Sequence, residues 1–594
     1  MSNAVEVPSE IDTLSKVISV NAPRCGDRVA LMDRDAGEVR ETSYAELHRL
    51  VGGFRRWLRG EGIGQGDRVA ILMGNGRPWI VTYFALLEHG AVVVPLDCDY
   101  LDGGHEHLRF ALEHCEARTV ITSPEEGPMV RRVAGATDAE VLEHPVPLPQ
   151  DEPAAPAGVK PSDTAQILYT SGTTGHRKGV MLSHRNVVSN ALACMERFGV
   201  LAHDCIPALL PHHHAYPLTT TVLLPIFAGA RCAVGNIRSR QVGDLIRAAR
   251  PTVLAAVPRV FESMLSKIES RARREGRLKW LRRAEALSRA VKRWTGLNIG
   301  RVLFRGLHRR LFGGMQIRFC VSGGARLPRD LALRYYRLGI PLVQGWGMTE
   351  LSPVGLVQEF SRARFTFTRH YERQAGSIGT PLRGTRVCLR GVREQNIVVE
   401  RDGKGEMIVD GPQVMQGYLG APKATRRRIT PDGIRTGDIA RRHADGTYSI
   451  VGRIKHVIVL PCGKKVFPEE DLWDALDGVE LIDEFAVRAI PDGSGGEQIG
   501  IMIKPDEERI VEQEMETFGE LYRTLKEEVT AALAHAPAYM KKYDFCLTEL
   551  RNGEFAELVK SAKKLPSPLK NEFSEETAWS RCRESERALE VEVT

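Results

Sequence analysis

Tyr169-Thr170-Ser171-Gly172-Thr173-Thr174-Gly175-His176-Arg177-Lys178-Gly179-Val180 follows directly on the short apolar run Ala165-Gln166-Ile167-Leu168. A buried strand running into a loop is the local structure this order predicts. Gly172, Gly175 and Gly179 let backbone N–H groups approach phosphate oxygens closely. Thr170, Ser171, Thr173 and Thr174 add hydroxyl donors, and Lys178 adds a mobile positive charge. The stretch therefore reads as a loop that holds a polyphosphate. It departs from the P-loop of nucleotide triphosphatases, which needs Gly-Lys followed by Ser or Thr, because Lys178 is followed here by Gly179-Val180. A plain flexible turn is the ordinary alternative for Gly, Ser and Thr. So dense a set of donors immediately behind a strand argues against it.

Outward from this loop, the chain of 594 residues is too long for one core, and at least two domains are expected. Hydrophobic residues make up 43% and charged residues 26%, the composition of a soluble globular protein. A formal net charge of +7 is small for this length and gives no reason to expect a nucleic-acid partner. The eleven cysteines are scattered without a CxxC pair or metal-ligand spacing, so reduced thiols and a cytoplasmic location are expected. Met1 to Glu10 is polar and acidic, which argues against a secretory signal. The apolar stretches Ile80 to Pro95 and Val222 to Val234 are too short or too interrupted to span a bilayer, which leaves only peripheral membrane contact.

Between residues 40 and 130, helix-like stretches such as Tyr44 to Leu58 alternate with short apolar runs such as Arg68 to Leu72 and Ala91 to Pro95, a pattern of α/β layers. Pro145 to Pro161, rich in Pro and Ala, reads as a connector. The segment 267–310 sets Arg273-Arg274, Arg282-Arg283, Lys292-Arg293 and Arg309-Arg310 among Trp280, Leu281, Leu287 and Trp294. It reads as cationic amphipathic helix, either a solvated face or a patch that touches anionic lipid.

Two more glycine-rich turns follow apolar segments, Ser322-Gly323-Gly324-Ala325 and Gln344-Gly345-Trp346-Gly347-Met348-Thr349-Glu350. Turns of this kind can wall a flat ring, with Trp346 against a base, Thr349 on a phosphate and Glu350 on a divalent cation. Taken singly, Trp346 would more often be core and Glu350 surface. A third cluster comprises Gly405 to Val409, Gly417-Tyr418, Arg435-Thr436-Gly437-Asp438-Ile439 and Asp445 to Lys455.

With these elements in this order the chain resembles the adenylate-forming enzymes, the superfamily of acyl-CoA synthetases, luciferases and peptide-synthetase adenylation domains. The resemblance runs from about Thr42 to about Lys465. It implies an α/β fold with a large layered N-terminal domain, residues 1–453, that binds AMP and the acyl group, and a small mobile α+β C-terminal domain, residues 454–594, turning on the hinge residue Lys455. ATP, Mg2+ and CoA are the implied cofactors. Carried over by position, Thr170, Ser171, Gly172, Thr173, Thr174, Gly175 and Lys178 form the phosphate loop. Gly323, Gly324, Ala325 and Trp346 wall the adenine, while Thr349, Glu350 and Thr170 serve phosphate and metal. Asp438 takes the ribose hydroxyls, with Arg453 nearby.

His214, three residues after Pro211, matches the Pro-x-x-His segment that the family places beside the substrate carboxylate. A metal site at His212-His213-His214 is the alternative. Gly463, in the loop Pro461 to Lys465, matches the position past which a pantetheine arm runs. The family also expects a C-terminal lysine that reaches the active site. Leu565-Pro566-Ser567-Pro568-Leu569-Lys570 favours Lys570, and Lys564 is the competing register. His456 and Arg177 depart from the commoner residues without removing an expected phosphate ligand.

The insertion from about Lys267 to Gly313 and the run Gln344 to Pro353 resemble long-chain fatty acyl-CoA synthetases. The implied reaction activates a medium- or long-chain fatty acid to acyl-AMP and passes it to CoA. The alternatives are a fatty acyl-AMP ligase that loads an acyl carrier protein, a ligase for an aryl or other carboxylic acid, and a non-catalytic nucleotide-binding relative.

Overall fold

The computed structural model describes residues 8–547 apart from 36–37, 103–104, 136, 146, 148–154, 171–176, 240, 360–370, 394–396, 400–402, 463, 492–496, 507–508, 511–512, 514–517, 538–539 and 542. Its packing divides these residues into two units. The first takes in residues up to 170, 178–387 and 409–434, and the second Arg177, 388–408 and 435 onward.

Three sheets and their helices make up the first unit. The largest has seven strands in the order Gly417–Tyr418, Lys178–Ser183, Thr164–Thr170, Val92–Pro95, Arg68–Leu72, Thr119–Thr122 and Glu140–Glu143. A five-stranded sheet runs Val253–Ala256, Phe319–Ser322, Leu342–Gly347, Val354–Val357 and Thr380–Pro381, and a four-stranded one runs Glu38–Ser43, Val29–Asp35, Arg231–Val234 and Cys205–Ala208. The strands read from sequence at 68–72 and 91–95 and the helix from Tyr44 are all present, the helix extending over Tyr44–Gly60. Ser43 starts that helix by accepting the Glu46 backbone hydrogen at 3.1 Å. Helix Arg77–His89 is buried nearly all round, with Trp79, Tyr83 and Phe84 in the core. This explains its lack of a polar face in the sequence. Truncating any of the three to alanine would cost about 3–5 kcal/mol. No helix among the described residues is long and apolar enough to cross a membrane.

The insertion expected from Lys267 to Gly313 is helical and belongs to the first unit. Helices Pro258–Arg274, Leu278–Thr295, Gly300–Leu303 and Arg305–Phe312 pack Phe261, Leu265, Leu281, Ala284, Phe304 and Phe312 into one core with Tyr335.

In the second unit, strand Ile482–Pro491 pairs antiparallel with Glu497–Pro505, which pairs parallel with Tyr543–Leu547. Helix Phe518–Ala532 contributes Leu525 and Val529 to the core of this sheet. Sequence reading puts a division after residue 453, whereas the packing puts residues 435–453 in the second unit. The reason is local. Strands Gly433–Arg442 and Tyr448–Arg453 pair with each other, and Arg441 and Lys404 both reach Glu470, at 2.8 and 2.9 Å.

Candidate active site

The phosphate-loop stretch closes a β-hairpin. Strand Thr164–Thr170 pairs antiparallel with Lys178–Ser183, setting Thr170 opposite Lys178 and Tyr169 opposite Gly179. Ala165, Ile167 and Leu168 are buried, as their apolar character requires, and buried Gln166 accepts the Tyr83 hydroxyl hydrogen at 2.8 Å. A Cβ at position 179 would stand 3.0 Å from Ile167 Cγ2, so close packing across the hairpin favours glycine there. Lys178 thus opens a strand, whereas the lysine of a P-loop opens a helix, and this difference accounts for the missing Ser or Thr after it. Ser171, Gly172, Thr173, Thr174 and Gly175 lie outside the described residues; Thr170 and Lys178 flank them on either side.

Lys178, Tyr418 and Glu350 come together from three distant parts of the first unit. Lys178 Nζ stands 4.8 Å from the centroid of the Tyr418 ring, and Tyr418 donates its phenolic hydrogen to Glu350 Oε1 at 2.7 Å. Burial, then the Glu350 charge and hydrogen bond, push the Tyr418 phenol well above its ordinary range against the pull of Arg428. Tyr418 therefore stays protonated and keeps donating. Strand Gly417–Tyr418 sits at the edge of the large sheet with Tyr418 opposite Val180, which fixes its ring beside Lys178. Sequence reading quoted Gly417-Tyr418 without giving Tyr418 a role, since a lone tyrosine after glycine carries no signal of its partners.

Two asparagines of helix His184–Phe198 hold this arrangement. Ser183 and Asn186 form a reciprocal cap at its start. Asn186 Nδ2 donates to the carbonyls of Pro412 and Val414, both at 2.8 Å. One turn on, Asn190 Nδ2 donates to Val354 O at 2.6 Å and its Oδ1 accepts from Val354 N. Helical spacing thus ties the segments before Tyr418 and after Glu350 to one rigid element. Met415 N donates to Glu350 O at 2.9 Å and closes the link. Glu350 is only 7% exposed, within the short helix Thr349–Leu351, so it is the buried kind of carboxylate that requires partners.

Strands Phe319–Ser322 and Leu342–Gly347 are parallel neighbours; the turn after the first carries Gly323, Gly324 and Ala325, and the second ends on Gly347. A Cβ on Gly323 would stand 2.7 Å from the Tyr216 ring. Tyr216 is fixed behind that turn, its hydroxyl 3.2 Å from the carbonyls of both Ala256 and Val321. Gly324 has φ +82°, the left-handed conformation that glycine adopts at no cost. The half-buried Trp346 lies against Gly355, where a Cβ would meet ring atom Cζ3 at 3.0 Å.

The three histidines diverge. His212 is buried with its ring edge-on to Trp79 at 4.9 Å, and burial pushes its imidazole down to about 3, so it is neutral. His213 Nε2 lies 3.3 Å from Asp97 Oδ2 and 3.2 Å from His214 Nε2, with the two rings 4.1 Å apart. Burial raises the Asp97 carboxyl, but the His213 hydrogen bond and charge, the Asp99 backbone and His214 together hold it at about 2. Asp97 therefore orients His213, and His213 packs on the exposed His214. Among the described residues no group of three or more His, Cys, Asp or Glu side chains could hold a metal ion, and the triple-histidine metal site is not supported.

In the second unit, Asp438 and Arg453 are direct partners across the strand pair, with Arg453 Nε 3.0 Å from Asp438 Oδ1. Buried Glu406 holds the turn before them, accepting from Arg435 Nε and Nη2 at 2.9 and 2.7 Å and from Gly437 N at 3.3 Å. Thr436 Oγ1 donates to Met407 O and accepts from Asp438 N. Lys455 is exposed on the short helix Ile454–His456. Strands Ile458–Val459 and Lys465–Val466 pair around the loop that contains Gly463, which lies outside the described residues, as do Lys564 and Lys570.

The fold and these residues define an adenylate-forming enzyme. Residues 18–419 match the AMP-binding enzyme family, and the chain belongs to it. It is an acid–thiol ligase of that family. A feruloyl-CoA synthase from Amycolatopsis sp is 30% identical over 77% of this chain and 82% of its own. A long-chain-fatty-acid–CoA ligase from Thermus thermophilus is 29% identical over 81% of this chain and 83% of its own. The ATP-bound structure of MatB from Rhodopseudomonas palustris superposes with a TM-score of 0.70 at 23% identity, covering 93% of this chain and 99% of MatB.

Proposed function

We propose that the chain activates a medium- or long-chain fatty acid with ATP to give acyl-AMP and pyrophosphate, then transfers the acyl group to CoA to give acyl-CoA and AMP. The carrying observation is the Lys178, Tyr418 and Glu350 arrangement beside the phosphate hairpin. A carboxylate is a poor acyl donor and is repelled by the anionic α-phosphate, so neutralising charge is the central task. Lys178 draws charge from the phosphates, and Thr170 and Thr349 add hydroxyl donors. His214 receives the acid's carboxylate, held in place through His213 and Asp97. Gly323, Gly324, Ala325 and Trp346 wall the adenine, and Asp438, beside Arg453, takes the ribose hydroxyls. Lys455 is the hinge for residues 454–594, Gly463 borders the pantetheine arm, and Lys570, or Lys564 in its place, reaches the α-phosphate.

The donor set fits Mg2+. Glu350 offers one buried carboxylate, with hydroxyls at Thr349 and Thr170, and Mg2+ commonly takes one or two protein carboxylates and completes its shell with substrate phosphates and water. When bound, the ion withdraws charge from the phosphates and the leaving pyrophosphate.

The fatty acid is supported by the helical insertion at 267–313 and by the likeness to the Thermus ligase. An aryl acid is the second reading, favoured by the likeness to the feruloyl-CoA synthase. An acyl carrier protein is the alternative acceptor, and a cytoplasmic enzyme with peripheral membrane contact is the setting proposed. Pyrophosphate exchange into ATP, run with a graded series of fatty and aryl acids, tests the substrate class. Exchange with one band of fatty acid lengths supports it; exchange with aryl acids alone overturns it.

A further inference from the structure

Helix Leu278–Thr295 buries Leu281, Ala284, Glu285 and Ser288 on one face. Trp280, Leu287 and Trp294 recur every seven residues and so share a second stripe, where they are 56%, 51% and 87% exposed. Leu297, just past the helix, is 50% exposed, and Val302, on Gly300–Leu303, is 72% exposed. Trp280 leans edge-on to Phe304 at 5.9 Å, which joins the stripe to that following segment. Nine large hydrophobic side chains are exposed among the described residues, and these five fall within 23 positions of sequence, so the exposure is concentrated rather than scattered.

The charge around this stripe is predominantly basic, although Glu275 pairs with Arg277 and Arg310, Glu269 with Arg282 and Glu372 with Lys292. Residues 277–310 contain eleven lysines and arginines and one acidic residue, Glu285. Glu285 is buried and paired with Arg334 at 3.2 Å, so it does not offset the surface charge. Lys279, Arg283, Arg289 and Arg293 are exposed and have no carboxylate partner among the described residues.

We propose that this face of the insertion docks on an anionic lipid bilayer, with the Trp280, Leu287 and Trp294 stripe entering the headgroup region and the lysines and arginines on the lipid phosphates. A nucleic-acid duplex would satisfy the charge but keep its bases stacked on one another, out of reach of the indoles. Tryptophan beside arginine on a helix lying flat is the composition that an interface between water and hydrocarbon accepts. The other face of the helix is already packed, so penetration is shallow and the docking reversible. The proposal does not depend on the identity of the acid, though a lipid surface is where a long acyl chain partitions.

The test is sedimentation of the full-length protein with vesicles of phosphatidylcholine containing roughly one-third phosphatidylglycerol, against phosphatidylcholine alone, at low and high salt. Binding to the anionic vesicles, reversed by salt, is expected. Each basic side chain at the surface supplies about 1 kcal/mol, so Arg289→Ala with Arg293→Ala should weaken binding roughly thirtyfold. Trp280→Ala with Trp294→Ala should remove both binding and the blue shift of tryptophan emission. All four side chains are exposed, so thermal melts and vesicle-free adenylation should be unchanged. Equal binding to neutral vesicles, no binding, or undiminished binding by the variants overturns the proposal. Self-association abolished by the same substitutions, without vesicle binding, would assign the face to a second copy of the chain and overturn it too.

Discussion

Tyr418 donates its hydroxyl hydrogen to Glu350 at 2.7 Å while its ring face lies 4.8 Å from the Lys178 ammonium, so one side chain sets the spacing of a cation and an anion. Tyr418→Phe keeps the ring under Lys178 and removes only the hydrogen bond. A hydrogen bond to a charged group contributes about 1.5–3 kcal/mol, so pyrophosphate exchange should fall roughly 10- to 100-fold. Tyr418→Ala should fall further. An unchanged rate in Tyr418→Phe would show that the placement of Glu350 does not matter to adenylation.

Asp97 lies 3.3 Å from His213, whose ring packs on His214. Asp97→Asn and His213→Ala should each raise the KM for the acid about threefold to tenfold, the loss expected when a bound carboxylate keeps its partner but not that partner's orientation. The KM for ATP should stay as it is. Equal rises in both constants would instead mean a general loosening of the site.

The hairpin, the strands at 68–72 and 91–95 and the helical insertion were legible because local pattern decides them. Apolar runs bounded by glycine and proline, and a cap such as Ser43, act within a few residues. Glu350 and Lys178 stand out in the sequence as candidates for chemistry, since their residue types sit in dense glycine and hydroxyl contexts. Tyr418, Asn186, Asn190 and Asp97 do not. The partners they bond lie 68 to 228 residues away, from Glu350 for Tyr418 to Val414 for Asn186, and no periodicity encodes such distances. Lys404 and Arg441 likewise converge on Glu470 only in the folded chain.

Glu88 is fully buried, 3.3 Å from Arg55, and burial pushes its carboxyl up to about 8 against the pull of Arg55. The unfolded chain releases that proton near 4.5, whereas the folded chain holds it until about 8. Glu88 therefore contributes fully to stability below the unfolded value, and that contribution is lost as pH rises through the folded one. Thermal melts should show Tm falling by a few degrees across this window, with a flatter profile in Glu88→Gln. Parallel profiles would mean that Glu88 is ionised against Arg55 throughout.

Of the two C-terminal lysines, Lys570 is the one expected to serve adenylation. Lys570→Ala should reduce pyrophosphate exchange at least about 100-fold and spare thioester formation from supplied acyl-AMP. Normal exchange in Lys570→Ala with loss in Lys564→Ala would pass the role to Lys564.

The most direct test of the central claim is to incubate the purified protein with ATP, Mg2+ and a medium- or long-chain fatty acid, with and without CoA, and to resolve AMP, acyl-AMP and acyl-CoA by mass. The account predicts acyl-AMP without CoA, and acyl-CoA with an equal amount of AMP when CoA is present. Acyl-AMP that persists undiminished in the presence of CoA, or no acyl-AMP from any fatty acid, would contradict it.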